Sequence, residues 1–145
     1  AMARMEELCA RAEHSTGEIT QKLLRMGISP ADAGRIVQSM TERRFINDSR
    51  FALAFARDKM EYSRWGKRKI ALALYQKHVA RELIDDALDN LDEDRYRTIL
   101  AELIQAKKRT IAEADTYEGR TKLYRFAASR GFEPDLIAEA LRSCQ

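Results

Sequence analysis

The chain has 145 residues, 45% hydrophobic and 34% charged, with a net charge of +3 and a pI near 9.0. That balance suits a soluble, helix-rich protein with solvated outer faces, and no apolar run approaches the roughly 20 residues needed to span a bilayer. No secretory h-region is evident near the start, Ala1 ahead of Met2 reads as a cloning remnant, and the charge is too small to establish nucleic-acid binding.

A first helix is expected over Met5–Glu13. Ser15 and Glu18 have capping-box spacing and start a second helix, with Ile19 and Leu23 on one stripe. Met26-Gly27-Ile28 closes it, with Gly27 where a left-handed residue is needed. Ser29-Pro30 starts a third helix, which carries Ala33, Ile36, Val37 and Met40. Asp48 is the expected N-cap of a helix over Ser49–Tyr62 that includes Phe51, Phe55 and Met60. Gly66 permits a tight turn into the next helix, with Ile70, Ala71 and Leu74 on one side and Arg68, Lys69, Leu72, Tyr75 and Gln76 on the other. Lys77-His78-Val79 ends that helix, with His78 where a glycine would be easiest. Leu83, Ile84, Ala87, Leu88 and Leu91 make the following stripe, and a longer helix is expected over Asp94–Ala112. Asp115 with Glu118 is a second capping box, ahead of Leu123, Ala127 and the closing Arg130-Gly131-Phe132. Glu133-Pro134 starts a last helix with Leu136, Ile137, Ala140 and Leu141.

The phrase from Ile19 to Ile28 thus recurs from Ile70 to Val79 and from Leu123 to Phe132, at spacings of 51 and 53 residues. Each copy is followed by one helix pattern and preceded by another. Nothing alternates with period two. The expected fold is all-α: about nine helices in a tandem array of three three-helix repeats, residues 1–47, 48–93 and 94–145, elongated and curved. Each repeat alone is too small for a sufficient core, so the units are expected to share one.

Charge is unevenly placed. Six Lys/Arg and no acid lie between Arg64 and Arg81, and seven acids and no base between Glu82 and Asp94. Either the two segments pair with each other or their neighbours, or the basic one is kept for a partner. In the same way, Leu72 and Tyr75 are either clamped between neighbouring helices or part of a contact face. Trp65 is either a plug between repeats or a stacking platform. A helix pair of this kind can also place its second helix in a DNA groove, but after the basic helix that second helix begins at Glu82 and is acidic, so phosphates would repel it.

Catalytic constellations are absent: there is no P-loop, G-x-S-x-G or H-E-x-x-H, and an enzyme is not expected. Cys9 and Cys144 lack metal-ligand spacing and read as reduced thiols of a cytosolic protein with no metal or cofactor.

Phe45-Ile46-Asn47-Asp48-Ser49-Arg50-Phe51-Ala52, Trp65-Gly66-Lys67-Arg68-Lys69-Ile70 and Gln76-Lys77-His78-Val79 resemble the bacterial RecX family, as do Lys122-Leu123-Tyr124-Arg125-Phe126-Ala127 and Arg130-Gly131-Phe132. The likeness covers residues 6–144. It implies three-helix repeats and a modulator that binds the RecA–DNA filament and inhibits strand exchange and ATP hydrolysis, so affecting recombination and DNA repair. Arg44 and His78 stand where the family's pattern has glycine, so the turn geometry is open at both: at His78 the left-handed cap is either strained or differently shaped. On this resemblance the expected contacts are Arg57, Arg64, Lys67, Arg68, Lys69, Lys77 and Arg81, with Arg120, Lys122 and Arg125 in the third repeat. The expected partners are the RecA filament and DNA, without a membrane, for a chain that is a monomer. The alternative is a helical-repeat DNA-binding protein acting without a recombinase.

Overall fold

The computed structural model describes residues 2–11 and 14–143, with the side chains of 7–11 left aside. The thiols of Cys9 and Cys144 and the expected helix end at Glu13 therefore lie outside the described residues. Nine helices and no strand occur among those described: α1 (Met2–Arg11), α2 (Thr16–Arg25), α3 (Pro30–Glu42), α4 (Asp48–Glu61), α5 (Lys67–Gln76), α6 (Arg81–Asp89), α7 (Glu93–Lys108), α8 (Tyr117–Ser129) and α9 (Pro134–Ser143). The all-helical, repeated organisation agrees with the sequence pattern.

Two compact units divide the chain, one of Ala1–Phe55 with Ala73–Asp89, the other of Ala56–Leu72 with Asn90–Gln145. In the first, α2 packs on α3, and Met5, Ile19, Leu23, Ala33, Met40 and Ile46 form a buried cluster flanked by Ile28, Ile36, Val37 and Phe45. In the second, α7, α8 and α9 pack on one another, and Tyr96, Ile99, Ile104, Leu123, Phe132 and Ile137 are buried. Each large apolar side chain buried in this way contributes about 1.5–3 kcal/mol.

The repeated phrase has a repeated shape. Gly27, His78 and Gly131 have φ of 86°, 63° and 96°. In each case the next residue's N–H reaches back five residues: Ile28 to the Leu23 carbonyl at 3.1 Å, Val79 to Leu74 at 3.2 Å, Phe132 to Ala127 at 3.3 Å. These are Schellman closures, which satisfy carbonyls left over at a helix C-terminus. Arg44 closes α3 in the same way, with φ 63° and Phe45 N–H on the Met40 carbonyl at 2.9 Å. Of the two alternatives at His78, the strained left-handed cap is the one present, and Arg44 has it too. Both residues hold the left-handed shape at a cost of about 1–2 kcal/mol each, which a glycine would avoid.

Two caps differ from expectation. The Asn47 side chain accepts the Arg50 N–H at 2.9 Å, so Asn47 rather than Asp48 caps α4. Asp48 is the first helical residue and turns its carboxylate to another helix. Thr116, not Asp115, caps α8, accepting the Gly119 N–H at 3.1 Å. The capping box of Ser15 and Glu18 is present. The long helix ends at Lys108 instead of Ala112, and turns lead from there to α8.

Candidate partner-binding surface

The basic segment begins where α4 ends. Arg64 is left-handed, with φ 57°, and the Trp65 N–H reaches the Lys59 carbonyl at 3.0 Å. Helix α5 then starts without a side-chain cap of its own. Instead the Gly66 N–H donates to the Arg130 carbonyl at 2.7 Å, the Arg68 N–H to the Gly131 carbonyl at 3.0 Å, and the Lys67 N–H to the Tyr96 hydroxyl at 2.8 Å. Three N–H groups that a helix start leaves over are thus satisfied by the turn between α8 and α9 and by a buried phenol. A Cβ on Gly66 would overlap backbone atoms of Gly131 and Phe132, so only glycine allows this approach. The Tyr96 hydroxyl donates in turn to the Glu133 carboxylate. Burial, then the Glu133 hydrogen bond and charge, hold the Tyr96 pKa above its ordinary 10.0.

Charge networks fasten the same unit. The Arg95 guanidinium donates from Nε to both Glu61 oxygens at 3.1 Å and from Nη1 to Glu102 at 3.4 Å, while Arg64 reaches Glu102 at 3.2 Å. The Arg95 hydrogen bond lowers the Glu61 pKa, and the same bond raises that of Arg95. A second chain runs from Lys67 to Glu93 at 3.0 Å, Glu93 to Arg97 at 3.4 Å and Arg97 to Glu139 at 3.0 Å. The Glu139 hydrogen bond raises the Arg97 pKa.

The ten expected contact residues therefore fall into two groups. Arg64 and Lys67 are paired as above, and the Lys67 ammonium also lies 4.9 Å from the Tyr96 ring centre. Lys69 places its ammonium 4.7 Å from the ring centre of half-buried Trp65, which Lys59 also approaches at 4.8 Å. Those cations give Trp65 a structural part at the start of α5. Lys77 lies 3.6 Å from Glu18, and Arg120 is half-buried and engaged within the fold. By contrast Arg57, Arg68, Arg81, Lys122 and Arg125 are exposed and have no ion-pair partner among the described residues. Among the engaged cations, Lys69 lies over Trp65 and Lys67 over Tyr96, while Arg64 reaches Glu102. Lys77 and Arg81 belong to the other unit.

The basic segment pairs with the acidic run through Lys67 and Glu93, while Arg64 and Lys77 find acids outside it. Leu72 and Tyr75 are 57% and 71% exposed, so of the two alternatives they are displayed and not clamped. Tyr96, Glu133, Arg95 and Glu61 carried no local signal in the sequence. Their partners lie 29 to 37 residues away.

No group of His, Cys, Asp and Glu suited to a metal ion occurs among the described residues, and no helix there is long and apolar enough to cross a membrane.

Two family models match the chain: the second three-helix domain of RecX over residues 47–88, and the third over residues 93–141. Regulatory protein RecX of Chlorobium phaeobacteroides is 31% identical over 134 residues, covering 92% of this chain and 86% of that protein. Its counterpart in Vibrio parahaemolyticus is 31% identical over 135 residues, covering 93% and 85%. The chain spans about 59% of the length of the Clostridium beijerinckii regulatory protein RecX, to which it is 28% identical. The crystal structure of RecX from Lactobacillus salivarius superimposes with a TM-score of 0.85 at 19% identity, over 98% of this chain and 95% of that one.

Proposed function

This chain belongs to the RecX family of regulatory proteins, and from that premise we propose that it binds the RecA–DNA filament and inhibits strand exchange and ATP hydrolysis. The observation that carries the reading is the pair of family matches, over residues 47–88 and 93–141. We assign the binding to cations that the fold leaves exposed and unpaired among the described residues: Arg57, Arg68, Lys122 and Arg125, with Arg81 in the other unit. Arg68 is the foremost of these, because its own N–H is tied to Gly131 while its side chain is exposed. Arg64, Lys67, Lys69 and Lys77 act instead by holding the surface in shape. A filament repeats its subunits, so a chain of repeats gains from several weak contacts at once. On this reading the protein is a cytoplasmic monomer and a regulator rather than an enzyme, with repeats over 1–47, 48–93 and 94–145.

The test is inhibition of RecA-catalysed strand exchange by the unaltered chain and by Arg68→Glu. Loss of one unpaired contact and gain of a like charge is expected to raise the half-inhibitory concentration about tenfold, with helicity unchanged. Equal inhibition by both proteins removes Arg68 from the surface. No inhibition by the unaltered chain removes the proposal itself. DNA binding of equal strength with and without RecA would favour a DNA-binding protein that needs no recombinase.

A further inference from the structure

Two features of the first unit are left over by the function proposed above, and their charges are opposite. The first is a groove of about 550 Å³ between one face of α2 and the turn that ends α5. Glu18, Lys22 and Arg25 share the α2 wall at helical spacing, and Lys77 and His78 stand opposite. Glu18 is already committed: it accepts the Ser15 N–H at 3.2 Å and lies 3.6 Å from the Lys77 ammonium. Lys22 and Arg25 have no ion-pair partner among the described residues, so the groove holds surplus positive charge. Met26, the C-cap of α2 and 41% exposed, stands at the end of this wall. The floor is rigid, because a Cβ on Gly17 would overlap the Lys77 carbonyl oxygen and the two walls meet backbone to backbone.

The second is the outer face of α6. Glu82, Asp85 and Asp89 recur there at helical spacing, all exposed and without an ion-pair partner among the described residues. The acidic run is therefore divided. Glu93 is engaged by Lys67 and Arg97, and Asp92 caps α7, whereas this stripe is left to solvent. Val79 and Ala80 alone separate His78, in the groove wall, from Arg81, the first residue of α6. The cationic groove and the acidic ridge thus adjoin within one unit.

A patch with a basic half and an acidic half is its own complement on rotation about a two-fold axis. We propose that two copies of this chain associate in this way, the α6 ridge of each lying in the α2 groove of the other. Lys22 and Arg25 are three residues apart on one helix, and Glu82 and Asp85 are three apart on the other. Each pair of cations therefore meets a pair of carboxylates at a matching separation, about 5–6 Å between Cβ atoms. A convex helix face enters a concave wall, and Met26 adds apolar contact at its end. The two-fold axis forms the whole contact twice, which exposed ion pairs need, because one such pair alone stabilises little. If the function proposed above holds, Arg81 at the head of α6 is covered in the dimer, and the monomer is the form that meets the filament.

Sedimentation velocity of the full chain, without RecA and over a range of chain concentrations, tests this at about 50 mM and about 0.5 M salt. The unaltered chain is expected to pass from monomer to dimer with concentration at the lower salt and to stay monomeric at the higher. Lys22→Glu/Arg25→Glu and Glu82→Lys/Asp85→Lys each set like charges against each other, and each is expected to weaken association at least about tenfold. The fourfold variant with both changes exchanges the two charges, keeps the net charge of +3 and is expected to dimerise again. Circular dichroism checks that all three variants keep their helices. An unaltered chain that is monomeric at every concentration would overturn the dimer and leave both faces to other partners. So would association that survives either double variant, or a fourfold variant that stays monomeric with its helices intact. None of these outcomes touches inhibition of strand exchange, because that assay contains RecA and reads Arg68.

Discussion

The N–H of Thr16 and the N–H of Lys67 stand at the same place, the first residue of the second helix in successive repeats, and a side chain of a later helix caps each. In the first unit the cap is the Asp48 carboxylate, which takes both the N–H and the hydroxyl of Thr16. In the second it is the Tyr96 phenol, which passes its own proton toward Glu133. Beside each cap a glycine lets backbone meet backbone: Gly17 against Lys77, Gly66 against Gly131. The architecture needs a contact at this point and is indifferent to the acceptor that supplies it. The difference lies in polarity. Both helix starts are half-buried: at the first a half-buried carboxylate accepts directly, and at the second a fully buried phenol accepts, with the carboxylate one step further out.

Breaking the glycine contact should have the largest effect. Gly66→Ala forces a methyl into the backbone of the α8–α9 turn and is expected to destabilise the second unit by about 3 kcal/mol or more. Gly17→Ala, which meets fewer backbone atoms at such close range, should cost less. Urea unfolding of both variants checks the order, and equal midpoints would contradict the comparison.

Removing the caps should come next. Asp48→Ala loses two bonds to a charged acceptor, at about 1.5–3 kcal/mol, and Tyr96→Phe leaves the Lys67 N–H without its partner, at about 1–3 kcal/mol. The two caps differ in their response to pH. The Tyr96 pKa is raised on folding, so its contribution is complete below its ordinary 10.0 and declines as pH rises beyond that. Tyr96→Phe should therefore flatten the alkaline loss of stability, measured by thermal melts between about pH 8 and pH 11, while Asp48→Ala leaves it in place.

The smallest effect belongs to the turn. His78 holds a left-handed φ of 63°, where Gly27 and Gly131 do the same work without a Cβ. His78→Gly is expected to stabilise the first unit by up to about 1 kcal/mol, read as a higher melting temperature. A fall would mean that the imidazole makes a contact worth more than the strain.

Much of the fold was legible because its signals are local. Ile19, Ile70 and Leu123 announce their helices by spacing alone, and Ser15 with Glu18 or Ser29 with Pro30 states a start within four residues. The misplaced caps show where local reading stops. Asn47 and Asp48 are both good N-caps, and Thr116 competes with Asp115. Asp48 leaves its own helix because Thr16 offers two donors, and that offer exists only once α2 and α4 are packed.

For the candidate surface the boundary falls in the same place. A run of Lys and Arg is visible in the sequence, but the run does not say which members are spent on structure. Arg64, Lys67, Lys69 and Lys77 are engaged by Glu102, Glu93, Trp65 and Glu18, partners chosen by three-dimensional proximity. Leu72 and Tyr75 looked equally fit for burial or display, and packing left them displayed.

By itself, then, the order of residues determined helix identity, the repeat and the left-handed turns at Gly27 and Gly131, because each follows from periodicity, glycine or proline within about one helical turn. Only the tertiary structure decided which acid or phenol caps which helix, which cations remain unpaired and where a groove opens. Those outcomes depend on distances between residues some thirty positions apart, and no stretch of sequence encodes such a distance until the chain has folded.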